Sequence, residues 1–169
     1  MIRTIGACLI LGVSGGFGLA KSIGFRRQSR QLRQLITLLE LLRCELNYTL
    51  LPLPRLCVLT AERCTGAAAQ CLLRYGQELE HCGSRHKAAG LALTETKGLC
   101  LPAVARQVLS ELLESLGRYE LEGENRLLRL TGQRLSEIEQ RLNTEKRPLA
   151  RGYAALGFST GLALVILLL

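Results

Sequence analysis

From residue 26 onward, apolar positions recur at spacings of three and four. Leu32, Leu35, Leu39, Leu42 and Leu46 make one seam, widened by Ile36, Leu38 and Leu41. That period predicts an amphipathic helix over residues 26–50. Pro52 and Pro54 end it, because proline removes a backbone donor and disfavours helix before it, so 48–56 reads as a turn. Shorter helices are predicted over 55–65 and 67–82, the latter turning Leu72, Leu73, Tyr75 and Leu79 inward. Residues 83–98 are the least regular, with room for a short helix at 85–93. A helix over 101–116 places Val104, Val108, Leu109, Leu112, Leu113 and Leu116 on one side, and Gly117 sits where a left-handed cap belongs. The last helix, 119–148, carries Leu121, Leu128, Leu135, Leu142 and Leu149 seven apart. Ile138 holds one intermediate core position, and Glu124, Thr131 and Glu145 hold the others. A helix of roughly 45 Å must lie along a partner, and the economical partner is the 26–50 helix, run antiparallel.

The two ends have a different pattern. Residues 5–20 (IGACLILGVSGGFGLA) and 152–169 (GYAALGFSTGLALVILLL) carry no charge. As helices they reach about 24 and 27 Å against a hydrocarbon core of about 30 Å, so both are expected to span a membrane. Gly157 and Gly161 form a small-xxx-small pair suited to helix packing in lipid. The first segment also resembles a cleavable leader ending at Ala20, which would leave six cysteines open to disulfide pairing. Charge decides against that reading. Lys21, Arg26, Arg27, Arg30 and Arg33 follow the first segment, and Lys146, Arg147 and Arg151 precede the second. Positive charge stays on the cytosolic side, so both ends place residues between them in the cytosol. The expected organisation is a membrane helix at 1–22, a cytosolic helical bundle at 23–151 and a second membrane helix at 152–169, an all-α chain.

Composition sharpens this. All 14 acids are glutamate, tryptophan is absent, and leucine dominates, which is helix composition. Without aspartate the commonest Mg²⁺ and Ca²⁺ ligand is missing, which counts against metal-dependent phosphoryl transfer. The net charge of +8 is explained by the membrane flanks rather than by nucleic-acid binding. In a reducing cytosol the cysteines are thiols. Cys57, Cys64 and Cys71 recur as a helical stripe of small hydrophobes, and Cys82 with His81 and His86 matches no zinc spacing. No phosphate loop, zinc-protease or nucleophile-elbow motif occurs. The chain is expected to be non-enzymatic, with no cofactor and no metal.

The order of parts resembles the stage III sporulation protein AB family of endospore-forming bacteria. The resemblance rests on RQLRQLITLLELLRCELNYTLLPL at 30–53, on LLESLGRYELEGENRLL at 112–128 and on the closing LGFSTGLALVILLL. Where the family often shows Asp and Gln after its Leu-Gly, this chain has Glu120 and Glu124. The resemblance implies a platform in the mother-cell membrane, similar to the inner-membrane proteins of type II secretion and type IV pilus systems. Such a platform would couple a cytosolic secretion-type ATPase to the other membrane components of a sporulation channel, and homo-oligomerisation is left open. The expected contact is the turn carrying Gly117, Arg118, Glu120 and Glu124. The alternative from another class is a membrane-anchored regulatory or sensor subunit with no secretion role.

Overall fold

The apolar seam of residues 32–42 and that of 128–135 each need a partner surface, and the computed structural model shows how they find it. It describes the backbone of residues 2–49 and 51–146 and the side chains of 24, 26–49 and 51–144. The described residues are helical, without strands: α1 (Ile2–Tyr48), α2 (Leu53–Glu62), α3 (Ala67–His81), α4 (Arg85–Glu95), α5 (Ala103–Ser115) and α6 (Leu121–Arg141), followed by a π-helical turn, Leu142–Lys146. The chain divides into two compact units, Arg30–Glu139 and a second formed by Met1–Ser29 with Gln140–Leu169.

Within Arg30–Glu139, the α1 stretch and α6 run antiparallel. Arg33 Nε meets Glu139 Oε1 at 2.9 Å, and Asn47 and Asn125 exchange side-chain hydrogen bonds of 3.0 and 2.7 Å. The antiparallel direction is the one the sequence predicted for the two longest seams, and both pairs fit a single register. Glu124, Leu128, Thr131 and Leu135 form the buried stripe of α6. Leu121 was expected to open that seam but is 50% exposed. It sits in the first turn of α6, and the buried position there belongs to Glu124. Val104, expected inward on α5, is also exposed, because α5 buries the stripe of Ala105, Leu109, Leu112 and Leu113.

The short helices pack in sequence, α2 on α3, α3 on α4 and α4 on α5. Pro54 opens α2 in its first turn, where a missing N–H costs nothing. Small residues then set the spacing. Ala68, Ala69 and Cys71 on α3 and Ala88, Ala89 and Ala92 on α4 are all buried. Gly76 lets α2 approach so closely that a Cβ there would lie 2.8 Å from the Pro54 carbonyl oxygen. Tyr75 is the large anchor of this region; its hydroxyl donates to the Leu113 carbonyl on α5 at 2.5 Å, and burial raises its pKa above the usual phenol range. Leucines of α1, α3 and α5 (Leu35, Leu38, Leu72, Leu109, Leu112) close the common core around a void of only about 10 Å³.

The second unit is described in less extent. There Ser29 Oγ donates to Asn143 Oδ1 at 3.2 Å, and Thr144 folds its hydroxyl back to the Gln140 carbonyl at 3.0 Å. Among the described residues no helix is long and apolar enough to cross a membrane. The two expected spans, 5–20 and 152–169, lie outside the residues whose side chains are described.

Candidate functional site

The sequence singled out Gly117, Arg118, Glu120 and Glu124; the first three lie in the turn between α5 and α6, and Glu124 reaches back to it from the first turn of α6. Leu116 is buried and ends α5. Gly117 follows in the left-handed region at φ +79°, where a side chain is strained, and a Cβ there would also lie 2.7 Å from Leu53 Cδ2. The turn is held from three sides. Arg85 Nη2 donates to the Gly117 carbonyl at 3.1 Å. The Arg118 N–H bonds to the Ser115 carbonyl at 3.3 Å. Glu124 Oε1 accepts the N–H groups of Gly117 at 2.8 Å and Tyr119 at 3.0 Å.

Glu124, in the first turn of α6, therefore ties down the preceding turn, folded inward at 5% exposure. From this position, where the helix dipole favours negative charge, its carboxylate reaches back to satisfy two N–H groups of the preceding turn. Arg118, Tyr119 and Glu120 are the members of the turn that face solvent. The arrangement is a rigid, exposed presentation of one cation, one aromatic and one anion, with no nucleophile beside a base.

Other candidate chemistry resolves into packing. Cys57 and Cys71 are core side chains whose burial pushes their pKa up to about 12 and about 11, so they stay protonated. Cys64 does not continue the expected stripe, because α2 ends at Glu62 and a turn intervenes before α3. Cys44 is exposed. Cys82 bonds Glu78 at 3.4 Å, and that hydrogen bond raises its pKa. His86 Nδ1 lies 3.2 Å from Glu114 Oε1, and hydrogen bonds from His86 and Ser110 lower the Glu114 pKa. Among the described residues no three His, Cys, Asp or Glu side chains are grouped to hold a metal ion.

Two features were not legible beforehand. Gln31, buried beside Leu32, clips the loop between α4 and α5: its amide donates to the Gly98 carbonyl at 2.7 Å, and its carbonyl accepts the Cys100 N–H at 2.6 Å. A glutamine next to an apolar seam was the one available hint. The second is a hollow of about 500 Å³ over the α1–α6 seam, lined by Arg43, Asn47, Glu122, Asn125, Arg126 and Arg129. Its residues come together only once the antiparallel register is known.

Comparisons with known proteins agree with this architecture. The family described as stage III sporulation protein AB matches residues 3–169. A solved structure of a stage III sporulation protein AB superposes with a TM-score of 0.63 at 21% identity, covering 72% of this chain and 98% of that one. At that identity the likeness speaks for the fold. A search of curated proteins finds no match. The family match over nearly the whole length, joined to a shared helical fold, shows that this chain belongs to the stage III sporulation protein AB family.

Proposed function

We propose that this component of the sporulation apparatus is a non-enzymatic adaptor that holds a cytosolic secretion-type ATPase against a membrane assembly. The observation that carries the reading is the α5–α6 turn. Glu124, Arg85 and the left-handed Gly117 fix its backbone, while Arg118, Tyr119 and Glu120 remain exposed. A preorganised loop loses little entropy on binding, which is what a docking element needs and a merely connecting loop does not. The uncharged segments 5–20 and 152–169 with their basic flanks support anchoring by two spans, with the bundle on the cytosolic side.

Charge reversal of both Arg118→Glu and Glu120→Arg tests the surface. Helicity and melting should stay at the parent values while co-purification of the ATPase with the full chain in mild detergent falls at least about tenfold, roughly the loss of one good interfacial contact. Retention at the parent level would move the contact elsewhere. Failure of any ATPase to co-purify with the parent would favour the regulatory-subunit reading. Topology is best read at Cys44, which is exposed, rather than at the buried Cys71. An impermeant thiol reagent should leave Cys44 unlabelled in intact cells and label it on lysis.

A further inference from the structure

The α1–α6 seam changes character along its length. At one end of the Arg30–Glu139 unit it is closed by the Arg33–Glu139 ion pair, and near the other by the reciprocal Asn47–Asn125 amides. The same register places Glu40 opposite Gly132 and Arg43 opposite Arg129. Two like charges thus face each other where complementary pairs sit on either side. Arg126 stands one turn from Arg129 on the same face. Among the described residues none of Arg43, Arg126 and Arg129 forms an ion pair. Glu122 and Glu40 border the region, and neither reaches an arginine within ion-pair distance.

The surface there is concave. The hollow of about 500 Å³ shares Arg43 and Arg129 with a second of about 250 Å³, whose floor includes Ile36, Leu39 and Leu128. Gly132 lies in this second hollow, and a Cβ there would meet nothing within 4 Å. Residues 125–136 give the groove about three helical turns. Exposed large apolar side chains stand at the same end of the unit: Tyr48 closes α1 beside Asn47, and Tyr119 and Leu121 precede Asn125. Tyrosine and arginine around an apolar floor, without lysine, are the composition of protein-binding hot spots.

We infer that this groove docks an acidic segment of a protein partner, with carboxylates clamped by Arg43, Arg126 and Arg129 and an apolar side chain seated over Gly132. Guanidinium forks match carboxylates bidentately, and a bound carboxylate between Arg43 and Arg129 turns a repulsive pair into an attractive one. A small inorganic anion would leave the apolar floor uncovered. A lipid headgroup would likewise leave the floor of Ile36, Leu39 and Leu128 uncovered, which favours a protein over a lipid surface. The inference deepens the adaptor reading by naming the chemistry of a partner, on a surface separate from the Arg118–Glu120 turn.

The test uses the full chain in mild detergent. The probe is a fluorescent amphipathic peptide of about twenty residues, carrying glutamates on one helical face and leucines on the other, long enough to cover three turns. The parent should bind it at low salt at least ten times more tightly than the same peptide with glutamine for glutamate. Arg43→Gln, Arg126→Gln and Arg129→Gln together should weaken the glutamate peptide at least tenfold without lowering the melting temperature, whereas lysine at all three positions should give an intermediate loss. Gly132→Leu, which fills the seat, should weaken it while keeping the charge. Equal binding by parent and triple glutamine variant overturns the inference, as does equal affinity for the two peptides. Loss of binding to phosphatidylglycerol vesicles in the triple variant, with peptide binding intact, assigns the arginines to lipid and also overturns it. ATPase co-purification is read separately, so a failed groove with an intact ATPase contact leaves the adaptor reading standing.

Discussion

The α1–α6 pair and the four short helices between them reach their packing by different means. The pair is long, carries leucine seams at helical period, and is kept in register by polar partners such as Arg33 with Glu139 and Asn47 with Asn125. Helices α2 to α5 are 10 to 15 residues long and meet through alanine, cysteine and glycine. Small residues allow close approach there, while Tyr75 and the buried leucines Leu56, Leu72, Leu109 and Leu112 supply the bulk of the core. Added volume therefore has room at Gly132 on the open side of the long pair and none at Gly76 between α2 and α3. Isolated helices of that length are marginal, so the short helices depend on one another and on α1.

The largest expected effect comes where the two regions meet. Leu112→Ala on α5 and Leu135→Ala on α6 both empty fully packed sites, and each should cost about 2–5 kcal/mol in denaturant unfolding. Leu121→Ala and Leu130→Ala, on exposed positions of α6, should stay within about 0.5 kcal/mol. A similar cost at all four would mean that the seam assigned to α6 is wrong.

Glycine to alanine should then change sign between Gly76 on α3 and Gly132 on α6. Gly76→Ala pushes a Cβ against the Pro54 carbonyl at 2.8 Å and Val58 Cγ2 at 3.0 Å, and backbone cannot give way as a side chain end can, so a loss of about 1–3 kcal/mol is expected. Gly132→Ala, in the interior of α6 with open space around it, should gain about 0.5–1 kcal/mol. Opposite outcomes at these two sites would remove the distinction between a tight and an open side.

Alkaline pH should act through the buried thiols of the short helices. Burial raises the folded pKa of Cys57 to about 12 and of Cys71 to about 11, against an ordinary 9.0. Above pH 9 the unfolded chain releases these protons and the folded chain keeps them. Stability is therefore full below pH 9 and falls as pH rises towards each folded value. By pH 10 each thiol should cost about 1 kcal/mol, and Cys57→Ala should flatten the slope measured by unfolding at pH 8 and pH 10. Thiol labelling checks the location: Cys44 on α1 should react at once, and Cys57 and Cys71 only as opening grows with pH.

The same contrast explains what could be read in advance. The 3.6-residue period of α1 and α6 was legible, as were their antiparallel pairing, the prolines that end one helix and begin the next, and the glycine cap at Gly117. The short helix at Arg85–Glu95 was only faintly marked, because an interface of Ala88, Ala89 and Ala92 leaves little hydrophobic contrast. The sequence set Gly117, Arg118, Glu120 and Glu124 close together, but did not show that Glu124 turns inward while Arg118 and Glu120 face solvent.

By itself, the sequence determined the all-helical class, the two dominant helices and the family, since periodicity and capping are local properties of the chain. The tertiary structure decided which way each side chain of the turn faces: Glu124 goes inward because two orphan N–H groups, on Gly117 and Tyr119, converge on it. It also decided the register that sets Arg43 against Arg129, because a seam repeating every three or four residues permits several alignments and only the packed partner selects one.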